Sequence, residues 1–361
     1  CTRPLTRFQN LTNLILSTVL AEKKLSIDLY INDKFHSVKT NRTIAISSDN
    51  YTYLKNYTKK LLPKWQTKKI KIYTEDSKSK EIISFENKHK SAFNLVKYSD
   101  LNRIFLSKAK NLKNIKFIKL NTSNSSLINK IKNYDLVINS QSKNYISKKY
   151  FYNNIKKNYK STAYTFTIDH NRLNNKIASQ IFTKYGPLAF LPISNTQTSI
   201  VFSFSGNIKN CNEIIKLFNY YNTFYKVKKI SEIEKYNLNF SMLRNYINKN
   251  ILAFGDLTHR IHPLAGQGFN MTIRDIKNLA LIIDKKTKLG LPIDISVAND
   301  FQNIVKHKNY LYGKTIDAIY EFFKIDNRMN NLISKPVLKL LNKNFLFKKY
   351  SYLISEKGFD F

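Results

Sequence analysis

The sequence predicts a mixed α/β protein in which a parallel sheet is combined with a stretch of antiparallel sheet and followed by helices. Three observations predict this fold class. Apolar residues first follow a helical period and then a strand period over residues 11–32. Residues 162–206 contain segments that alternate apolar and polar residues, and the chain beyond residue 269 returns to a helical period. Helices between buried strands favour a parallel sheet, whereas alternating segments favour an antiparallel one.

The N-terminal half supplies the α/β part. Residues 11–24 are predicted as a helix with Leu14, Val19 and Leu20 near one face, and residues 25–32 as a strand. The preceding "CTRPLTR" lacks the apolar pattern of a first strand, so that strand is expected to be short or absent. The other elements of this half are a hairpin, a helix and two buried strands: 70–76 with 81–87, 100–110, 115–120 and 135–139.

The antiparallel part and the C-terminal helices follow. Two half-buried strands are predicted by alternation, with these residues on one face: Tyr164, Phe166 and Ile168, then Ile200, Phe202 and Phe204. Between them, the two prolines of "YGPLAFLPI" (185–193) favour an edge strand or a loop. The remaining elements are a helix, a short strand and three helical segments: 212–224, 250–254, 269–288, 297–324 and 331–354.

Composition limits the classes of protein that fit. The chain has 361 residues, 42% of them hydrophobic, which suits one large domain or two interlocked ones. No run of about 18 apolar residues predicts a transmembrane helix, and the first residues lack the cleavage site of a signal peptide. Only Cys1 and Cys211 are available, so a disulfide framework is not expected and a cytoplasmic location fits.

The formal charge of +37 does not predict nucleic-acid binding. Only nine of the 61 basic residues are Arg, the residue that usually reads bases and grips phosphates, and Lys is spread along the whole chain. Attraction to an anionic membrane surface needs only Lys. The basic and aromatic tail beyond residue 331 is interpreted as a helix packed on the rest of the protein or as a peripheral membrane contact.

One stretch concentrates the glycines of a glycine-poor chain. "GDLTHRIHPLAGQGFNMTIRD" (255–275) holds three of the eight glycines. Gly255 permits a sharp turn after a short buried strand, and Asp256 falls at the carboxyl end of that strand, where open α/β sheets bind ligands. Gly266 and Gly268 allow the backbone to approach a flat or anionic group before a helix that is expected to begin near Asn270. The stretch therefore predicts a site for a polyhydroxyl or anionic ligand.

Two histidines in the same stretch have a second interpretation. His259 and His262 are three residues apart, a spacing that can serve a metal, but no third ligand follows and Pro263 comes directly after His262. We therefore expect no metal site. Hydrogen bonding within the loop is the expected role of each histidine.

The stretch resembles the second flavin-binding motif of the FAD-dependent aromatic hydroxylases, typified by para-hydroxybenzoate hydroxylase. Its full form, G-D-x-x-H-x-x-H-P-L-A-G-Q-G-x-N-x-x-x-x-D, is most similar to that of the ubiquinone-biosynthesis hydroxylases. Three other segments agree in order, namely "NRTIAIS" (41–47), "YGPLAFLPI" (185–193) and "NFSMLRNYINKNILAFGD" (239–256). The resemblance covers nearly the whole chain.

The resemblance implies a Rossmann-like FAD-binding domain interleaved with an antiparallel-sheet substrate domain, plus C-terminal helices. The implied FAD-binding domain is discontinuous (1–65, 95–158 and 240–300), the substrate domain comprises 66–94 and 159–239, and the helical region 301–361. Asp256 would bond the ribityl chain of FAD and Arg42 would contact FAD. The cofactor-binding residues implied in all are Arg42, Asp256, Gly255, Gly266, Gln267, Gly268, Asn270 and Asp33.

The resemblance also implies a reaction. NADH or NADPH would reduce FAD, and the reduced flavin would use O2 to hydroxylate the phenol ring of a polyprenylated ubiquinone precursor. Pro263 would lie where oxygen reacts, and His259 and His262 are candidates for a catalytic base. The implied partners are this substrate, O2, a quinone-biosynthesis complex and the inner face of a membrane.

Two departures from the family pattern leave alternatives open. No glycine occurs in the first 185 residues, so the G-x-G-x-x-G fingerprint is absent, and Phe8, Asn10 and Asn13 stand where its glycines belong. In "DLVINSQSKN" (135–144), Gln141 and Ser142 replace the family's Asp-Gly. The chain is interpreted as an active monooxygenase, as a non-catalytic homologue that scaffolds a quinone-biosynthesis complex, or as a related flavoenzyme such as an oxidase or halogenase.

Overall fold

A computed structural model of the chain describes residues 4–7, 11–31, 40–58, 62–75, 81–86, 91–119, 124–206, 210–329 and 333–359. Phe8, Asn10 and Asp33 lie outside these described residues. Within them, no helix combines the length and the apolar character needed to cross a membrane.

The described residues form ten α-helices and 18 strands. The helices are α1 (Leu11–Glu22), α2 (Ser48–Asn56), α3 (Tyr98–Lys110), α4 (Asn124–Ile131), α5 (Tyr145–Tyr150), α6 (Cys211–Tyr221), α7 (Gln267–Lys288), α8 (Ile295–Arg328), α9 (Ser334–Lys343) and α10 (Phe345–Lys357). The strands are β1 (Pro4–Arg7), β2 (Ile27–Ile31), β3 (Thr43–Ile46), β4 (Trp65–Thr67), β5 (Lys69–Thr74), β6 (Ile83–Glu86), β7 (Phe93–Lys97), β8 (Ile115–Lys119), β9 (Leu136–Asn139), β10 (Asn154–His170), β11 (Ile177–Thr183), β12 (Gly186–Pro192), β13 (Gln197–Ser205), β14 (Val227–Ile230), β15 (Glu234–Leu243), β16 (Ile247–Asn248), β17 (Ile251–Ala253) and β18 (His259–Arg260).

The predicted α/β fold class is confirmed by a six-stranded sheet in the order β16-β17-β9-β1-β2-β8. All neighbours in it are parallel except β16 and β17. The first strand, which was expected to be short or absent, is present as the four-residue strand β1, which lies between β9 and β2 and pairs with both. A strand in this position is held by main-chain hydrogen bonds on both sides, so it forms although its sequence, PLTR, lacks an apolar run.

The predicted antiparallel part is confirmed by a nine-stranded sheet. Strands β10 and β13 pair antiparallel from Ser161–Ser205 to Asp169–Gln197, and the predicted hairpin forms between β5 and β6. The prediction that residues 185–193 form an edge strand or loop was wrong, since β12 lies between β11 and β13. Its two prolines occupy the second and the last position of the strand, where a missing N–H interrupts the ladder least.

Helices pack on the six-stranded and nine-stranded sheets, and a third sheet has the order β3-β7-β4. Helix α1 is buried along almost its whole length within the core of the parallel sheet, and α8 packs in a second apolar core beside the nine-stranded sheet. Helix α7 begins at Gln267, three residues before the predicted start at Asn270. The predicted tail helix is two helices, α9 and α10, separated at Asn344.

Candidate functional site

The turn after β17 requires its glycine. Gly255 begins a short 3-10 helix (Gly255–Leu257) with φ of +57°, a conformation that side chains disfavour. A Cβ atom there would lie 3.1 Å from the Cγ2 atom of Thr12 and 3.5 Å from that of Thr272. Because Gly255 has no side chain, the end of β17 can pack directly against the first turn of α1.

A second glycine turn leads into α7. Gly266 ends a 3-10 helix (Leu264–Gly266) with φ of +66°, and a Cβ atom would lie 3.2 Å from the Cβ of Ala45 in β3. At Gly268, in contrast, the nearest atom to an added Cβ would be Cγ1 of Ile261 at 3.7 Å, an ordinary contact. Packing within the chain therefore explains why residue 266 is a glycine, but it does not explain why residue 268 is one.

Arg42, Asp256 and the amino end of α1 come together around Tyr98. The guanidinium carbon of Arg42 lies 5.6 Å from the centre of the Tyr98 ring, and the Leu11 amide donates to the Tyr98 hydroxyl at 3.4 Å. Burial raises the pKa of Tyr98, Arg42 opposes that rise and the negative charge of Asp256 adds to it. Arg42 and Asp256 are themselves exposed. Tyr98 was missed by the sequence analysis, because it lies in no glycine motif and becomes part of the site only through the fold.

Two of the predicted cofactor-binding side chains are engaged inside the protein. Gln267 is buried, and its Oε1 accepts a hydrogen bond from the Tyr312 hydroxyl (2.7 Å). Asn270 is fully buried; its Oδ1 accepts from the Ser47 amide (3.0 Å) and its Nδ2 donates to the Ala45 carbonyl (2.9 Å). These side chains hold α7 against α8 and against the turn after β3, so only their backbone remains for a ligand.

The amides of the second turn are also partly engaged. The Gly266 amide donates to the Pro263 carbonyl at 3.2 Å, and the Gln267 amide donates to the Leu264 carbonyl. A ligand at this turn would therefore rely on the helix start from Gly268 onward and on the positive end of the α7 dipole.

His259 links the loop to two helices. Its Nε2 donates to the Asp275 carboxylate at 2.8 Å, and both side chains are almost completely buried. Asp275 also accepts from Nδ2 of Asn309 in α8 at 3.0 Å. The predicted hydrogen-bonding role of His259 is confirmed, although its partner lies in α7 rather than within the loop before it.

His262 lies in an aromatic pocket. Its ring stacks on Tyr320 with 4.1 Å between centroids and meets Tyr159 edge-on at 5.2 Å, and neither ring nitrogen has a hydrogen-bond partner among the described residues. Burial lowers the pKa of His262 to about 3, so the ring is neutral at physiological pH. His262 is 1% exposed and has no hydrogen-bonded proton relay in the described part of the chain, so neither the hydrogen-bonding role nor the catalytic base predicted for it is supported. Pro263, beside it, is half-buried at the start of the second turn.

At the same carboxyl edge of the parallel sheet, the segment after the neighbouring strand β9 holds polar contacts in place of glycines. Asn13, at the expected position of the third fingerprint glycine, is fully buried in α1 and its Oδ1 accepts from the Ser140 hydroxyl at 2.7 Å. Nδ2 of Asn139 donates to the Ser147 hydroxyl at 2.8 Å, and the Arg260 guanidinium donates to the Ser142 hydroxyl at 3.0 Å. The segment after β9 is thus tied both to α1 and to the Gly255–Asp275 loop.

The loop is also part of the antiparallel sheet. Strand β18, at the centre of the loop, pairs with Ser241 and Met242 of β15. In the part of the chain that the structure describes, no group of three or more His, Cys, Asp or Glu side chains is placed to hold a metal ion. The loop therefore joins β17 of the six-stranded sheet to β15 of the nine-stranded sheet.

A family model described as a FAD binding domain matches residues 218–288, which include the whole loop. Among curated proteins, the chain is 24% identical to ubiquinone hydroxylase UbiL of Rhodospirillum rubrum over 177 residues, 46% of this chain and 41% of UbiL. It is 30% identical over 95 residues to the mitochondrial ubiquinone biosynthesis monooxygenase COQ6 of Dictyostelium discoideum, 26% of this chain and 19% of COQ6. The matches thus span less than half the length of these relatives.

Solved structures share the fold over nearly the whole chain. The p-nitrophenol 4-monooxygenase PnpA from Pseudomonas putida DLL-E4 superposes with a TM-score of 0.79 at 8% identity and covers 100% of both chains. An HpxO variant from Klebsiella pneumoniae complexed with FAD superposes with a TM-score of 0.73 at 8% identity over 98% of this chain and 99% of HpxO. The resemblance to the FAD-dependent aromatic hydroxylases and the predicted fold class are confirmed.

Proposed function

We propose that the chain binds FAD and is a monooxygenase that hydroxylates the phenol ring of a polyprenylated ubiquinone precursor, with NAD(P)H and O2 as co-substrates. One observation carries the proposal. The Gly255–Asp275 loop keeps glycine at Gly268, where packing within the chain does not require it, at the amino end of a 22-residue helix. A site for a flat or anionic group explains a glycine that the fold itself does not need.

The residues present fit FAD at several points. Asp256 is exposed at the carboxyl end of a parallel strand and can accept hydrogen bonds from a sugar-alcohol chain. Arg42 is exposed beside the amino end of α1, where a cation and a helix dipole favour a pyrophosphate. The amino end of α7, beyond Gly268, favours negative charge on a flavin ring. Asp33 is proposed for the adenosine ribose, although it lies outside the described residues.

The residues of this chain would bind, orient and shield the reactants. Reduced FAD supplies the oxygen-activating chemistry when bound. Pro263 shapes the turn that would face the flavin, and the nine-stranded sheet would cover the substrate and exclude water. His259 and His262 are buried and would position this turn through Asp275 and Tyr320. The proposal assigns FAD binding to residues 1–65, 95–158 and 240–300, and the substrate to 66–94 and 159–239.

The test begins with the purified chain incubated with FAD and desalted. A bound-flavin absorbance spectrum is expected, followed by NADH- or NADPH-dependent oxygen uptake in the presence of a prenylated phenol and a product that is heavier by one oxygen atom. A folded protein that stays colourless at saturating FAD would refute the flavoenzyme, and oxygen uptake without the hydroxylated product would indicate an oxidase.

A second candidate function is a non-catalytic homologue that scaffolds a quinone-biosynthesis complex. The observation that favours it is the hydrogen bond from the Leu11 amide to the Tyr98 hydroxyl, which places a side chain at the helix end where a pyrophosphate would bind. This candidate predicts co-purification with other quinone-biosynthesis proteins without any flavin. Product hydroxylation by the purified chain would exclude it.

We also propose a peripheral contact between the tail and an anionic membrane. Helices α9 and α10 expose large apolar side chains and lysines together: Val337, Leu340, Phe345, Leu346, Tyr350, Lys339, Lys343 and Lys349. An exposed mixture of these types suits an interface of lipid headgroups and acyl chains. Sedimentation with vesicles that contain phosphatidylglycerol should fall when Leu340, Phe345 and Leu346 are changed together to Ser. If it does not change, the membrane contact is refuted.

A further inference from the structure

A cavity of about 520 Å³ lies between helices α2, α7, α8 and α10. Its charged lining consists of four cations and two carboxylates, namely Arg274, Lys277, Lys308, Lys357, Asp49 and Glu356. The Glu356 carboxylate already accepts hydrogen bonds from the Ser48 and Asp49 amides at the start of α2. The cavity therefore carries a surplus of two positive charges. Arg42, Asp256 and Gly268, which are proposed to contact FAD, do not line it.

Arg274 is a buried cation of this lining that lacks a counter-charge. The residue is only 8% exposed. Among the described residues, no carboxylate forms an ion pair with its guanidinium, and its Nη1 atom has no hydrogen-bond partner. A buried charge without a partner is strongly unfavourable, so buried cations are almost always paired. An anion in the cavity would supply the charge that Arg274 lacks.

The Arg274 side chain is held in place by its neighbours. Its guanidinium carbon lies 4.6 Å from the centre of the Tyr312 ring in α8. The turn after α10 packs on it so closely that a Cβ atom on Gly358 would lie 3.0 Å from Nε of Arg274. Lys277 follows three residues later in α7, so it lies on the same face of the helix. Because the guanidinium is already positioned, an anion would bind without the cost of ordering a long side chain.

We propose that this cavity binds a phosphate monoester, either of a free metabolite or of a lipid headgroup, and that Arg274 is its main contact. A phosphate monoester carries a charge of about −1.5 to −2 at pH 7, which matches the surplus of two positive charges. A carboxylate would supply only one negative charge. The planar guanidinium also fits the oxygens of a phosphate, to which it can donate two parallel hydrogen bonds. The inference does not depend on the binding of FAD.

The test is isothermal titration calorimetry of the full chain with inorganic phosphate at constant ionic strength, with and without FAD. Binding is expected to saturate at one phosphate per chain with a Kd of about 1 mM or lower. Acetate should bind at least about tenfold more weakly than phosphate. Arg274→Gln should weaken phosphate binding at least about tenfold. Arg172→Gln removes the same charge at an exposed position and should change the Kd by less than about twofold.

Three outcomes would overturn the site. One is the absence of saturable phosphate binding, and another is equal weakening by Arg274→Gln and Arg172→Gln. The third is phosphate binding that is lost in Arg42→Gln and kept in Arg274→Gln, because the phosphate would then lie where the FAD pyrophosphate is proposed. If circular dichroism shows that Arg274→Gln does not fold, Lys308→Gln decides, since it should weaken phosphate binding a few-fold and an unchanged Kd would overturn the site.

Sedimentation with vesicles that contain phosphatidic acid identifies the source of the phosphate. A loss of sedimentation in Arg274→Gln, together with its loss of phosphate binding, assigns the cavity to a lipid headgroup. Unchanged sedimentation of the same variant assigns the cavity to a free phosphate ester. A chain that retains no FAD but binds phosphate through Arg274 would refute the monooxygenase proposal and support the phosphate site.

Discussion

Two neighbouring parts of the candidate site show opposite solutions to close packing. In the Gly255–Asp275 loop, two glycines let the backbone pack closely on other elements. A Cβ atom on Gly255 would lie 3.1 Å from Thr12, and one on Gly266 would lie 3.2 Å from Ala45. After β9, in contrast, the Ser140 hydroxyl donates a hydrogen bond to Asn13 Oδ1 of α1. Some glycines of such a motif are therefore required by the fold itself, so the presence of the motif alone does not demonstrate that a ligand binds. Gly268, which the fold does not need, is the residue that separates the two explanations.

The largest effect is expected from removing the carboxylate that anchors the loop. Asp275→Ala leaves His259 and Asn309 buried without their acceptor, which should cost about 3 kcal/mol of the free energy of unfolding. Urea denaturation measures this change. Asp275→Asn, which retains one acceptor oxygen, should lose less. Wild-type stability of the Ala variant would mean that the loop is held by its glycine turns alone.

Acid should destabilise the loop through His262. Its pKa is about 3 when folded and about 6.5 when unfolded, so the unfolded chain binds the proton more readily between these values. The contribution is fully present above pH 6.5 and is lost as the pH falls toward 3, by about 2 kcal/mol at pH 5. His262→Phe keeps the ring stacking and should reduce the difference between unfolding free energies at pH 7 and pH 5. An unchanged difference would mean that His262 is not buried as a neutral ring.

Alanine variants of Gly266 and Gly268 test most directly whether a motif glycine is needed for packing or for a ligand. Gly266→Ala should lose about 2 kcal/mol of stability, because a side chain at φ of +66° is strained and meets Ala45. Gly268→Ala should stay within about 0.5 kcal/mol of wild type, since it lies in a helix and its Cβ has room. FAD affinity should nevertheless fall at least about tenfold in Gly268→Ala. If FAD binding to Gly268→Ala is normal, the ligand explanation of that glycine is lost.

A smaller effect is expected from the last helix. The Glu356 carboxylate accepts from the amides of Ser48 and Asp49 at 2.9 and 3.1 Å, at the start of α2 beside the turn held by Asn270. Glu356→Ala should cost about 1 kcal/mol and weaken FAD binding a few-fold by loosening β3 against Gly266. Glu356→Gln keeps an acceptor and serves as the control. Equal FAD affinity in the wild type and in both Glu356 variants would mean that Glu356 only holds the tail against α2.

The smallest effect concerns Tyr98. Tyr98→Phe frees the Leu11 amide, which donates to the hydroxyl at a long 3.4 Å, so stability should change by less than about 1 kcal/mol. If a pyrophosphate competes with this hydroxyl, FAD should bind up to a few-fold more tightly to the variant. Weaker FAD binding to Tyr98→Phe would instead make the hydroxyl a direct contact of the cofactor.

Part of the site was predictable because it is local in sequence. The turn glycines Gly255 and Gly266, the strand before them and the helix after them follow one another within 38 residues. Tyr98 could not be found in this way, since it becomes part of the site only when the start of α1 packs beside it. The sequence left open whether strand β1 is short or absent, because its neighbours stabilise it and its own composition does not predict it.

The sequence by itself determined the α/β class, the alternating strands and the glycine turns, because periodicity and positive φ depend on residues close in the chain. Only the tertiary structure decided which motif residues face inward. Gln267, Asn270, His259 and His262 belong to one motif, yet their side chains are buried by α8, β3, α7 and Tyr320. Burial and hydrogen-bond partners depend on elements that lie far apart in sequence, so no local pattern could have separated these anchors from Gly268 and Asp256.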